Sequence, residues 1–124
     1  MPLTVSVIIV SFNEQHFVGD CVASVLAQEY PRDQYEVIVV DNGSKDQTPT
    51  IVRERFPEVR LVEAGKNLGL PAGMNLGLTH ARARRVVMLA CDTVVPPGWL
   101  SALMKPMDDD PQVKVTHAAM VIPG

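Results

Sequence analysis

Three apolar runs that each break off in a short polar cluster constrain this chain more than any other feature. Thr4 to Val10 reads TVSVIIV, Tyr35 to Val40 reads YEVIVV and Arg85 to Ala90 reads RVVMLA. Their apolar residues are consecutive rather than alternate, as in strands buried on both faces of a parallel sheet. Parallel neighbours need long crossovers, and the sequence between the runs has helical spacing. Phe17, Val18, Cys21, Val22, Val25 and Leu26 predict a helix from Glu14 to Gln28, with Asn13 as its N-cap and Pro31 just beyond. Ile51, Val52, Arg55 and Phe56 mark a second helix. Pro49 belongs in its first turn, which favours Asp46 over Ser44 as the cap, and Pro57 closes it.

Val59 to Glu63 predicts a short third strand, and Leu70 to Ala83 a helix with Pro71 in its first turn. Pro97 opens a last helix through Leu100, Leu103 and Met104, which Pro106 disturbs or ends. Val113 to His117 predicts a fifth strand. This alternation implies an α/β three-layer sandwich with a mainly parallel sheet. At about 150 residues per domain, the 124 residues make one domain spanning 1–124.

Composition narrows the function. Hydrophobic residues make up 47% and charged residues 20%, which sets the chain apart from disordered sequences. With 11 Lys and Arg against 14 Asp and Glu, it lacks the basic excess of a nucleic-acid binder. Cys21 and Cys91 show no paired C-x-x-C spacing, so they read as reduced core cysteines of a cytoplasmic protein rather than zinc ligands. Met1 to Val10 lacks the basic flank of a signal peptide, and no stretch reaches 18 apolar residues, so no membrane segment is expected.

In such sheets ligands bind outside the carboxyl ends of the strands. Those ends are Ser11 to Glu14, Asp41 to Ser44, Ala64 to Asn67 and Cys91 to Thr93. Asp41 suits a ring N–H or a ribose hydroxyl, or else caps its own turn, and Gly43 permits a tight turn close to a ligand. Ser11 to Glu14 lead into a helix N-terminus that can face a phosphate or sugar, or else Asn13 is a plain cap. Gly69, Gly73 and Gly77 recur every four residues, at a cost of about 1 kcal/mol each in a helix interior. Close approach to sheet or ligand offsets such a cost. Asp92 can bind a divalent metal held by a diphosphate, or cap a turn.

Other groups carry less. Asp108, Asp109 and Asp110 read as a solvated acidic turn, and Arg82, Arg84 and Arg85 as a solvated helix end. His16, His80 and His117 have no matched partners. No G-x-S-x-G, H-E-x-x-H or Walker A pattern occurs, and Ser-Phe-Asn-Glu stands where a dinucleotide fold has its glycine loop.

Four blocks, VSVIIVSFNE, VIVVDNGSKDQT, NLGLPAGMNLG and VMLACDTVVPPGWL, occur in an order that resembles the inverting family 2 glycosyltransferases of GT-A fold, most of all their rhamnosyltransferase-type members. The resemblance implies the donor half of such an enzyme, binding a nucleotide-diphospho-sugar. By it, Ser11, Asn13 and Glu14 meet the nucleoside or ribose, and Asp41 accepts a hydrogen bond from the base. Asn42 and Gly43 belong to the same binding turn. Lys66 and Asn67 lie near the diphosphate or sugar, and Gly73 and Asn75 form the helix behind the pocket. Asp92 matches the last acid of the D-x-D motif and would ligate a divalent cation, Mg²⁺ or Mn²⁺. The sequence departs from that motif at Ala90, which cannot ligate a metal. No residue matches the general base of the acceptor half, where a glycan or lipid-linked acceptor binds in a complete enzyme. The chain is therefore expected to be a truncated form with little or no transferase activity of its own. A non-catalytic binding or assembly module that keeps the fold is the alternative, and homo-oligomerisation through surfaces left open is expected.

Overall fold

The computed structural model describes residues 3–109 and 115–116. Five strands, β1 (Val5–Ser11), β2 (Tyr35–Asp41), β3 (Arg60–Glu63), β4 (Arg85–Ala90) and β5 (Val115–Thr116), form one sheet in the order β3-β2-β1-β4-β5. Every pairing is parallel. In register, Ser11 lies beside Asp41, and Val10 beside Ala90. The polar strand ends therefore meet along one edge. β3 and β4 match expectation closely. Of the expected fifth strand, Val115 and Thr116 are described and form β5, and Val113, Lys114 and His117 lie outside the described residues.

Helices α1 (Val18–Leu26), α2 (Thr48–Arg55), α3 (Leu70–His80) and α4 (Trp99–Asp109) complete the fold. Val5, Val7 and Ile9 of β1 join Cys21, Val22 and Val25 of α1, Val52 of α2 and Leu100 and Met104 of α4 in one core. Ile8, Ile38, Val40 and Val86 pack on the other face with Leu76 of α3. The sheet thus lies between helical layers, as expected of the three-layer α/β class. α3 fits so tightly because of its glycines. A Cβ on Gly77 would lie 2.6 Å from Ile8 Cγ2, and one on Gly73 would lie 3.0 Å from Val10 Cγ1.

Several boundaries differ from the sequence reading, each for a local reason. α1 begins four residues late because Asn13 to Gln15 are bonded to the loop after β2, leaving a turn closed by Val18 N–H on the Glu14 carbonyl (2.8 Å). Asn13 is not its cap. It has φ 52, a left-handed backbone that asparagine tolerates better than most residues. Asp46 does serve the start of α2, from one position beyond its N-cap Gln47, accepting Thr48 N–H at 2.9 Å. α3 stops at His80 rather than Ala83 because Glu36 takes the Arg82 N–H and Ser6 takes the Ala83 N–H. α4 runs through Pro106 instead of ending there, and the carbonyl four residues back belongs to exposed Ala102. Asp108 and Asp109 accordingly lie in α4 rather than in a loop, and Asp110 lies outside the described residues.

The segment after β4 is pinned to α1. Gln28 Nε2 donates to the Pro96 carbonyl (2.7 Å), Gln28 Oε1 accepts Leu100 N–H (2.8 Å), and Ser24 Oγ accepts Val95 N–H (3.1 Å). These bonds fix the path that carries Asp92. Among the described residues, no helix is long and apolar enough to cross a membrane.

Candidate functional site

The ends of β1 and β2 are knitted into one surface. Asn13 N–H donates to Ser44 Oγ (2.8 Å), and Lys45 N–H donates back to Asn13 Oδ1 (2.9 Å). Glu14 N–H donates to Thr48 Oγ1 (2.9 Å), and Gln15 N–H to Asp46 Oδ2 (3.1 Å). Asp41 is 3% exposed. One of its carboxylate oxygens accepts Ser44 N–H (3.0 Å), and the other faces Ser11 Oγ at 3.4 Å. It therefore caps its own turn, while each oxygen keeps acceptor capacity for a second donor.

The third loop closes against this surface. Asn42 Oδ1 accepts Leu68 N–H (3.0 Å), and Asn42 Nδ2 donates to the Gly69 carbonyl (3.1 Å). Gly43, at φ 82, comes so near that a Cβ there would lie 2.6 Å from the Lys66 carbonyl carbon. Glycine is required at that position on both counts.

Between these loops lies an open cleft of about 270 Å³, lined by Val10, Ser11, Phe12, Glu14, Asn42, Asn67, Gly69 and Leu70. Four expected site residues, Ser11, Glu14, Asn42 and Asn67, line it. Asn13, Asp41 and Gly43 are not part of its lining but hold the lining loops together through the bonds and contacts above. Lys66 is exposed beside Asn67. Gly73 packs behind, its α-carbon facing Val10 and Asn42, whereas Asn75 is exposed on the same helix and is not part of the lining. The sequence reading did not assign Val10, Phe12 or Leu70 to the site, and it named Gly69 only as a glycine whose cost calls for close approach to sheet or ligand. Phe12 is 42% exposed and Leu70 56%, and an apolar side chain left in water at a strand end was the signal that the pattern of buried residues hides.

Asp92 is exposed, in the turn closed by Thr93 N–H on the Ala90 carbonyl (3.2 Å). Glu14 is held above the usual carboxylate range by partial burial and by the charges of Asp92 and Asp46, so this end of the sheet is acidic. Cys91, between Ala90 and Asp92, is buried. A hydrogen bond with the Cys21 thiol, together with burial, pushes its own thiol far above the ordinary range. Among the described residues, no three His, Cys, Asp or Glu side chains are grouped to hold a metal ion. Ala90 offers no side-chain oxygen ligand. The donor set fits a divalent cation only where a ligand's phosphates supply most of the coordination.

Arg82, Arg84 and Arg85 lie at the opposite end of the sheet, before or at the start of β4, and are not part of this cleft.

A doubly wound parallel sheet whose polar strand ends meet over such a cleft places the chain in the GT-A class of glycosyltransferase folds. The chain belongs to glycosyl transferase family 2, whose model matches residues 6–123. It is similar to the glycosyltransferase AglE of Haloferax volcanii, at 33% identity over 99 residues, covering 77% of this chain and 33% of that protein. It is also similar to the poly-β-1,6-N-acetyl-D-glucosamine synthase of Staphylococcus epidermidis, at 32% identity over 73% of this chain and 22% of the synthase. Among solved structures, the mannosyltransferase PcManGT of Pyrobaculum calidifontis, in complex with GDP-Man and Mn²⁺, superposes with a TM-score of 0.80. The identity is 32%, over 89% of this chain and 35% of that one. S. aureus TarS 1–349 in complex with UDP-GlcNAc gives 0.78 at 25% identity, over 86% and 32%. The chain spans between about a fifth and about a third of the length of these relatives.

Proposed function

We propose that the chain binds a nucleotide-diphospho-sugar in the cleft at the carboxyl ends of β1 and β2, and is the donor-binding part of an inverting glycosyltransferase. The observation that carries this reading is the cleft itself. Ser11 and Glu14, Asn42, and Asn67, from three loops far apart in sequence, converge on it. A related mannosyltransferase of the same fold binds GDP-Man and Mn²⁺.

In this reading Asp41 accepts the base N–H with the capacity its turn bonds leave free. Ser11, Asn13 and Glu14 meet the ribose, and the exposed ring of Phe12 offers a stacking face. Lys66 and Asn67 attend the diphosphate, with Asn42 and Gly43 setting their loop and Gly73 and Asn75 on the helix behind. Asp92 holds a divalent cation, Mg²⁺ or Mn²⁺, jointly with the diphosphate. When bound, that cation neutralises charge on the leaving nucleotide diphosphate. The sugar goes to a glycan or lipid-linked acceptor, with a base from the acceptor part taking the hydroxyl proton. The protein works in the cytoplasm, where its thiols stay reduced.

Ala90 favours a second reading, a binding or assembly module without turnover. In either case self-association would use the α3 side, where Leu70 and Leu78 are exposed. The β3 edge is short and carries Arg60 and Glu63, which discourages strand pairing.

A thermal-shift panel with UDP, dTDP and GDP, each with and without Mn²⁺, tests donor binding. A ligand at 100 times its dissociation constant adds about 2.7 kcal/mol, several degrees in midpoint. One nucleotide should shift the protein and lose its effect in Asp41→Ala. The sugar follows from comparing dTDP-rhamnose, suggested by the resemblance to rhamnosyltransferase-type members, with GDP-mannose and UDP-GlcNAc. Donor binding without turnover supports the donor-binding part of a longer enzyme, and a flat panel removes the donor reading and leaves the module.

A further inference from the structure

We propose that Asn42 is a positioning residue: its carboxamide sets the 66–70 segment against the diphosphate side of the cleft and does not itself recognise the nucleoside. The proposal rests on the donor-site reading above. Asn42 is 3% exposed, and both ends of its side chain are engaged by backbone of that segment, Leu68 N–H on Oδ1 (3.0 Å) and the Gly69 carbonyl on Nδ2 (3.1 Å). The same Gly69 carbonyl accepts Gly73 N–H (3.0 Å), the first turn of α3. One carboxamide thus ties the end of β2 to the start of α3.

The surroundings leave it little freedom. Gly73 presents its α-carbon where a Cβ would lie 3.2 Å from Asn42 Nδ2, and Gly43 lies against the Lys66 and Asn67 backbone. The segment it holds is otherwise open. Gly65 and Gly69 bracket it at φ 84 and φ 86, and Lys66, Asn67 and Leu68 between them are exposed. Asn42 supplies two of the bonds that tie this stretch to the sheet. A carboxamide of this length offers one donor and one acceptor in a plane at any pH near neutral. A carboxylate of the same shape still accepts Leu68 N–H but has no proton for the Gly69 carbonyl and sets a negative oxygen against it.

The test measures dissociation constants of UDP, UMP, GDP and GMP for wild type, Asn42→Asp and Asn42→Ala, with amide exchange at Leu68 followed by NMR. Asn42→Ala separates loss of the latch from the charge that Asp adds. Misplaced binding groups cost affinity steeply, so the variants should lose about tenfold or more for the bound diphosphate. Their affinity for the matching monophosphate should stay within about twofold, and exchange at Leu68 should quicken. If either variant fails to fold, Gly73→Ala, which crowds the carboxamide, carries the same expectation. Equal losses for monophosphate and diphosphate would overturn the proposal in favour of a direct nucleoside contact. Faster exchange with both affinities unchanged would overturn it in favour of a purely structural latch. A wild type that binds none of the four removes the donor reading and the proposal together.

Discussion

Ser6 Oγ on β1 donates to Glu36 Oε2 on β2 at 2.6 Å, at the end of the sheet away from the cleft. Glu36 is 8% exposed and also accepts Arg82 N–H (2.7 Å) and Arg60 Nη1 (3.2 Å). It closes the chain between α3 and β4 onto the sheet. Burial alone would raise its pKa, but the bonds from Ser6, Arg82 and Arg60 outweigh burial and hold it below the ordinary carboxylate value. A lowered folded pKa gives stability that is complete above the unfolded value and is lost as pH falls through the folded one. Urea unfolding should therefore show stability declining from about pH 4.5 downward. Glu36→Ala should cost about 3 kcal/mol at neutral pH by leaving the Ser6 hydroxyl and the Arg82 N–H without their acceptor, while Arg60 keeps the His80 carbonyl, and should flatten that decline. An unchanged acid profile in the variant would show that other carboxylates set it.

The close approach of α3 makes an asymmetric prediction about glycine. Gly77→Ala places a methyl within 2.6 Å of Ile8 Cγ2, a branch atom fixed by the strand. Overpacking of this kind costs about 1–3 kcal/mol, more than the helix preference of alanine returns. Gly98→Ala meets open space and should stay within about 0.5 kcal/mol. Denaturation midpoints of the two variants check this, and equal effects would mean that α3 has room to move away from the sheet.

Cys21 and Cys91 are both buried, and the Cys21 thiol also lies 3.7 Å from the Ala90 carbonyl oxygen. With the Cys91 thiol held far above its ordinary pKa, the thiolate needed for attack is scarce. A water-soluble aromatic disulfide reagent should label neither cysteine in the native protein at neutral pH and both in denaturant. Rapid labelling of native Cys91 would show that the turn carrying Asp92 opens readily.

Strand positions and the meeting of their polar ends were legible because apolar runs broken by turn residues encode a buried parallel sheet directly. Helix boundaries were less legible. α1 starts late and α3 stops early where side chains remote in sequence, Asp46 and Glu36, claim backbone N–H groups that a helix or its cap would otherwise use. Pattern reading has no access to such partners. In the site, Asn13 and Asn42 were visible as polar residues at strand ends. That their side chains bond neighbouring loops, and that Phe12 stands open to water, depends on how the loops fold over one another.

The central claim, a nucleotide seated over the ends of β1 and β2, is tested most directly by titrating ¹⁵N-labelled protein with GDP, UDP and dTDP in the presence of Mg²⁺, following backbone amides by NMR. The account predicts saturable shifts for one nucleotide, concentrated in residues 11–15, 41–45 and 66–70. The opposite end of the sheet, around Ser6, Glu36 and Arg82, should stay unmoved. Saturable shifts centred on that opposite end, or no saturable shifts with any of the three, would contradict it.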